Sequence, residues 1–245
     1  MLRNAMLTGK ERTQTNDVEA RGVMPTGAER DRLRRAQRRG RLPLVVAVTG
    51  LIGFTIVAAL VALTDAKAFD VRVTLAMQRL DRPIVEWLMV AVSWPGFQPQ
   101  GALIGVGVGV ALFWRGLRLE SAFAALALAT GALNFLKLIF RRPRPSVVLD
   151  GIVVYGDVGG LSFPSGHVLT YLVFCGFLAY LAYTRVRQAA LRRALLAFLL
   201  GLIALVGPSR VFLGQHWFTD VLASYQLGTA VLIALLATYR RAQRR

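Results

Sequence analysis

Residues 44–63 read LVVAVTGLIGFTIVAALVAL, 20 positions without a charge. A helix rises about 1.5 Å per residue, so this run is about 30 Å long, the hydrocarbon thickness of a bilayer. In lipid the backbone must satisfy its own polar groups, and a single apolar run does so as a helix. Working outward, 101–114 is a short apolar stretch that extends upstream without charge, with Pro95 and Pro99 at its ragged start. Residues 121–140 follow, interrupted only by Lys137, then 168–183, 194–206 and 221–239. These predict an all-α polytopic membrane protein, a bundle of six transmembrane helices. The segment 69–94 differs. Phe69–Leu80 alternates at helical spacing, and Pro83–Val92 is apolar but carries Glu86. Both are expected to be short interfacial helices lying on the bilayer. Gly101, Gly105 and Gly109 recur every fourth residue, the spacing of close helix packing.

The composition agrees. The chain is 55% hydrophobic with a mean hydropathy of +0.51, too apolar for an ordinary soluble domain. Residues 1–42 are polar and Arg-rich, without an apolar period. They are expected to form a mostly disordered cytoplasmic tail with a short basic helix on the membrane surface. The domain organisation is then 1–42 tail, 43–240 six-helix bundle and 241–245 basic cytoplasmic end. The first apolar run starts too late and is too long for a signal peptide. Cys175 is the sole cysteine, so it has no intramolecular partner, and its apolar surroundings assign it to packing.

The net charge is +17, from 30 Lys and Arg against 13 Asp and Glu. A nucleic-acid binder would spread such cations over a soluble fold. Here they gather between apolar runs, which fits membrane topology and contact with anionic lipid headgroups. With the N-terminus inside, the tail, 115–120, 184–193 and 240–245 hold 21 of the 30 cations. That asymmetry predicts a cell (inner) membrane protein with both termini cytoplasmic. Three polar clusters then fall together on the outer face: 137–145, 162–167 and 209–220.

Each cluster has its own chemistry. Lys137 and Arg144 are seven residues apart, two helical turns, and Pro143 and Pro145 stop the helix between them. A lysine offers a point charge and an arginine a bidentate fork, both suited to phosphate. Arg141 and Arg142 fit an auxiliary role beside them equally well as snorkelling to headgroups. Ser165 occupies an N-cap position, and Gly166 lets backbone N–H groups approach an anion at a helix start. The only two histidines are His167 and His216. His216 and Asp220 are four apart, where a carboxylate can orient an imidazole. Arg210 adds a further phosphate donor. Two histidines and one aspartate among so many cations make a poor metal site, and no cofactor is expected.

Lys137-x6-Arg144-Pro145, Pro164-Ser165-Gly166-His167 and Ser209-Arg210-x5-His216-x3-Asp220 together resemble the three signature motifs of the type 2 phosphatidic acid phosphatase (lipid phosphate phosphatase) family, in the family's order. The resemblance covers about 44–239 and leaves the tail out. It implies a bacterial, metal-independent hydrolase of lipid phosphates or diphosphates. In it His216, oriented by Asp220, attacks phosphorus to form a phosphohistidine, and His167 protonates the leaving alkoxide. Lys137, Arg144, Ser165, Gly166 and Arg210 would hold the phosphoryl oxygens. A phosphotransferase passing the group to another alcohol is the alternative, and a basic lipid-binding or channel protein is the non-enzymatic one. The implied partners are a lipid phosphate and an anionic bilayer, without nucleic acid. The sequence leaves the oligomeric state open.

The topology has a direct test. Cysteine introduced at Thr184 in a Cys175→Ala background should resist an impermeant thiol reagent in intact cells. Rapid labelling there would reverse the orientation.

Overall fold

The computed structural model describes residues 27–64, 66–80, 82–156 and 159–245. Two compact units appear, Met1–Val45 and Val46–Arg245. Most of the tail expected to be disordered, residues 1–26, lies outside the described residues, and from Gly27 the chain is helical. Helix α1 is Gly27–Leu63. Then come α2 (Lys67–Gln78), α3 (Pro83–Ser93), a 3-10 turn Trp94–Gly96, and α4 (Gln100–Trp114). Next are α5 (Arg118–Leu128), a 3-10 stretch Ala129–Phe135, α6 (Leu136–Phe140) and the single turn α7 (Val147–Asp150). The chain ends with α8 (Gly166–Arg185), α9 (Ala189–Phe212) and α10 (Phe218–Ala242). The described residues contain no strand.

Five segments are long and apolar enough to cross a bilayer: Arg41–Leu63, Arg118–Phe140, Gly166–Arg185, Ala189–Phe212 and Phe218–Ala242. Helices α3 and α4 pass the same test together but meet at 59°, giving six spans when the pair counts as one. Pro83–Val92, expected on the bilayer surface, forms the first arm of that bent pair. Pro83 sits in the first turn of α3, where its missing N–H costs nothing. The helix packs against α9, and Val92 and Ser93 are buried. Glu86, the one charge that argued against a span, lies in the first turn of α3, toward the helix end. The bend falls at Trp94-Pro95-Gly96, where proline cannot continue the helical hydrogen bonds.

Helix α8 is the axis of the bundle. It packs against α5, α9 and α10, and Val168, Val173 and Phe177 are fully enclosed. Helices α1 and α4 instead present Ile52, Ile56, Leu103 and Val106 outward, as lipid-facing helices do. At one end of the bundle Glu120 of α5 is buried. It pairs with Arg185 of α8 and accepts a 2.7 Å hydrogen bond from the Tyr239 hydroxyl of α10. This cluster ties three spans at the end opposite their polar motifs.

At the other end a strap of irregular chain crosses the α9–α10 junction. Gln78 Nε2 donates to the carbonyls of Val153 and Phe212, both at 2.7 Å, and Val153 N–H donates back to Gln78 Oε1. Tyr155 N–H donates to Leu213 O, and Gln215 Nε2 donates to Tyr155 O at 2.5 Å. Gly214 makes the turn under this strap with a φ of +63°, and a Cβ there would run into the Val153 carbonyl oxygen. Both the left-handed backbone and the contact require glycine.

Gly214→Ala should therefore lower the Tm and cut any activity that depends on His216, two residues on. Gly107, whose Cβ position meets nothing within 4 Å, serves as control: Gly107→Ala should change neither. Equal behaviour of the two variants would remove the strap from the account.

Candidate active site

The three polar motifs meet at the ends of α6, α8, α9 and α10. Lys137, Arg144, Gly166, His167, Arg210 and His216 line one cavity of about 660 Å³. Its polar end is built by these residues. Its remainder is apolar, with Ile104, Val108 and Leu128 on one side and Leu178, Phe198 and Leu202 on the other. Ser165 is fully buried beside the cavity without lining it. Arg141 and Arg142, the candidate auxiliaries, do not line it either.

The geometry behind each position is local. Helix α6 ends at Phe140, three residues before Pro143, because Arg141 takes a left-handed conformation with φ 46°. Arg141 points its Nε at the Leu138 carbonyl and is exposed. The turn carries Arg144 back under the bundle, where Nη1 donates to the Gln215 carbonyl and lies 3.3 Å from His216 Nε2. Ser165 is the N-cap residue of α8, as expected, with extended backbone, but its hydroxyl makes no cap bond. Its N–H donates instead to Ser224 Oγ at 2.7 Å, which fixes the start of α8 against α10.

Arg210 is 1% exposed near the end of α9. Nη1 donates to Ser93 Oγ at 3.1 Å, and Ser93 Oγ is 2.9 Å from Ser209 Oγ. Its guanidinium lies 5.1 Å from the centre of the Phe97 ring, whose edge also meets His167 at 5.0 Å between ring centres. Ser93 and Phe97 come from the break between α3 and α4. A composition pattern marks that break only as a proline-rich irregularity, so sequence reasoning missed both residues. Asn134, in the 3-10 stretch, also lines the cavity and was missed; a Cβ on Gly166 would lie 2.6 Å from its Oδ1.

His216 sits just before α10, and Asp220 is in its first turn. Asp220 Oδ2 accepts from Trp217 N–H at 2.9 Å and lies 3.5 Å from His216 Nδ1. Nδ1 makes no hydrogen bond at that distance, but the carboxylate charge beside it favours a proton on Nδ1, and Nε2 lies 3.3 Å from Arg144 Nη1. Burial, and then the cations Arg144, Arg210 and Lys137, hold the His216 imidazole well below its ordinary pKa. It is neutral at pH 7, the state of a nucleophile.

Asp220 is itself fixed from behind. Arg142 is buried and donates through Nη1 to Asp220 Oδ1 at 2.6 Å and to Thr219 Oγ1 at 2.7 Å. Its Nη2 donates to Asp70 Oδ2 at 2.6 Å. Asp70, fully buried on α2, also accepts from Thr219 N–H at 2.9 Å and Thr219 Oγ1 at 2.7 Å. Asp70 was not foreseen, since α2 reads as an amphipathic surface helix in which an aspartate is unremarked.

A further pattern runs through the cavity wall. Arg144 Nε, His167 Nε2, Arg210 Nε and His216 Nδ1 on lining residues, and Ser165 Oγ beside the cavity, are buried with no hydrogen-bond partner among the described residues. Buried donors are normally satisfied, so a cluster of such atoms around one cavity is the mark of a site built for an anion.

The geometry brings two imidazoles and three cationic side chains to one cavity at the helix ends. The PAP2 superfamily model matches residues 118–244, which carry all three motifs. The chain belongs to the PAP2 superfamily, and its run of apolar helices makes it a multi-pass membrane protein. Phosphatidylglycerophosphatase B of Bacillus subtilis (strain 168) is 26% identical over 181 residues, covering 71% of this chain and 85% of that protein. The fold resembles the crystal structure of a transmembrane PAP2 type phosphatidylglycerolphosphate phosphatase from Bacillus subtilis. That match has a TM-score of 0.70 at 23% identity and covers 80% of this chain and 96% of the other. It also resembles Aquifex aeolicus LpxE, with a TM-score of 0.52 at 18% identity, over 68% of this chain and 93% of that one.

Proposed function

We propose that the protein hydrolyses phosphate monoesters or diphosphates of membrane lipids through a covalent phosphohistidine. The observation that carries this reading is the cavity itself. Two imidazoles and three cations line its polar end, and its apolar remainder suits a lipid tail. The relative named a phosphatidylglycerophosphatase makes phosphatidylglycerol phosphate the first substrate to try. Phosphatidic acid, undecaprenyl diphosphate and lipid A phosphates share the same chemistry.

In this reading the substrate phosphoryl group takes up the free donors of Lys137, Arg144, Ser165 and Arg210, with the Gly166 N–H at the start of α8. His216 Nε2 attacks phosphorus, forming a P–N bond as the P–O bond to the lipid breaks. His167, entering this step as the imidazolium, gives its Nε2 proton to the departing alkoxide and becomes the neutral imidazole. Water then attacks phosphorus with His167 as base, the P–N bond breaks, and inorganic phosphate leaves. Asp220 stabilises the positive charge that develops on His216. The cations stabilise the charge on the transferring group, a role in which one donor is commonly worth about 10²-fold in rate or more. A divalent cation is not required in this scheme and would be opposed by the same residues. With both termini cytoplasmic, the site opens on the outer side of the cell membrane.

The test is phosphate release by purified, detergent-solubilised protein from the four lipids in EDTA. Release from at least one is expected; complete loss in EDTA that metal restores would overturn the metal-independent scheme. His216→Ala should abolish turnover and His167→Ala leave a trace. Asp220→Asn should lower kcat by about 10²–10⁴-fold with little change in KM, by analogy with catalytic triads. Lys137→Met should raise KM as well as lower kcat, because it removes a contact already made to bound substrate. Full activity in either histidine variant would exclude the mechanism.

A further inference from the structure

The Asp220 carboxylate is asked to serve two cations. Its Oδ1 is held by Arg142 at 2.6 Å, and its Oδ2 faces His216. A buried guanidinium in contact with one carboxylate makes a neutral pair, and a neutral pair offers little to an imidazole that must become positive. The second carboxylate changes this. Asp70 takes Arg142 Nη2 at 2.6 Å, so the group of Asp70, Arg142 and Asp220 carries one surplus negative charge. All three side chains are buried, Asp70 and Asp220 completely, so water screens the charge weakly. The His216 ring faces that surplus, with Nδ1 3.5 Å from Asp220 Oδ2.

Asp70 is also rigidly placed. Its Oδ1 accepts from the N–H of Thr219, an N–H in the first turn of α10 that has no partner within the helix. A carboxylate at that end is favoured by the helix dipole. Its Oδ2 receives the Thr219 hydroxyl as well as Arg142. Arg142 lies 5.6 Å from the Trp217 ring, which closes the remaining side of the guanidinium. Trp217 Nε1 donates to the Pro143 carbonyl at 2.8 Å, joining the same turn.

We propose that Asp70 is a positioning residue of the reaction: it neutralises Arg142 and leaves the charge of Asp220 to the His216 imidazole. The inference rests on the reading of His216 and Asp220 as nucleophile and orienting carboxylate. Arg142 accordingly belongs to the support of the nucleophile and not to phosphate binding.

Asp70→Asn is the informative variant, because the amide oxygen can still accept from Thr219 N–H while the charge is lost. It should lower kcat by roughly 10- to 100-fold and leave KM within about twofold, since no substrate contact is removed. The decisive measurement is the same substitution in an Arg142→Gln background, where there is no guanidinium left to neutralise, assayed at high enzyme concentration. There Asp70→Asn should cost less than about threefold more, because residues acting through one group are not additive. An unchanged kcat in Asp70→Asn would overturn the inference. So would a loss that appears mainly in KM, or an equal loss in both backgrounds, which marks a purely structural role. Tm values of all variants accompany the rates; a kcat loss that simply tracks Tm counts against the inference too. If His216→Ala itself retained turnover, the failure would lie in the catalytic reading, and the inference would fall with it.

Discussion

Placing a guanidinium in a low-dielectric interior costs several kcal/mol unless an anion meets it there. The polar end of this bundle gathers Lys137, Arg142, Arg144 and Arg210, and it treats them in two ways. Arg142 is saturated by Asp70, Thr219 and Asp220. The other three line the cavity, and two of them keep a buried nitrogen without a partner among the described residues. The geometry of the site follows from this division. The neutralised cation fixes the first turn of α10 and with it Asp220 and His216. The uncompensated cations lie on the cavity wall, where a bound anion can meet them.

The bundle makes this division possible by bringing helix ends together. His167 lies at the start of α8, Arg210 near the end of α9, and His216 just before α10. Residues at such ends reach water and headgroups while their helices remain in lipid, so polar groups cost less there than mid-span. Within α9 the Tyr225 hydroxyl bridges the Gly207 N–H at 3.0 Å and the Ile203 carbonyl at 2.5 Å, one turn before Arg210. Pro208 has no N–H to give the helix, and the tyrosine from α10 ties α9 together at the point where it leads into the site. The Glu120–Arg185–Tyr239 cluster ties α5, α8 and α10 at their other ends, so the three helices are pinned at both ends.

The sequence made the spans legible because about 20 apolar residues in a row have few other uses in a protein. The motif residues were legible because histidine, lysine and arginine stand out against such a background. Lys137, Arg144, His167, Arg210 and His216 do line one cavity. The role of Arg142 was not legible, because its meaning depends on Asp70, 72 residues away. An aspartate on an amphipathic helix looks the same whether it faces water or a buried guanidinium. The break at Ser93–Phe97 was readable as an irregularity but not as the support of Arg210. Glu86 reads in sequence as a charge inside an apolar run, and the structure places it in the first turn of α3, toward the helix end.

Charge matching bears on which esters suit the site. The Asp70–Arg142–Asp220 group carries one surplus negative charge, and Lys137, Arg144 and Arg210 carry three positive ones. His216 is held neutral by its burial and by those cations. Before the proton that His167 brings to the reaction is counted, about two positive charges remain for the ligand. A phosphate monoester carries about −1.5 to −2 at neutral pH, whereas a phosphodiester has a single negative charge and one oxygen fewer to accept donors. A diester would leave a buried cation uncompensated and a donor unpaired, each costly in a low-dielectric site. The balance favours terminal phosphates over the diester linkages that dominate the surrounding bilayer.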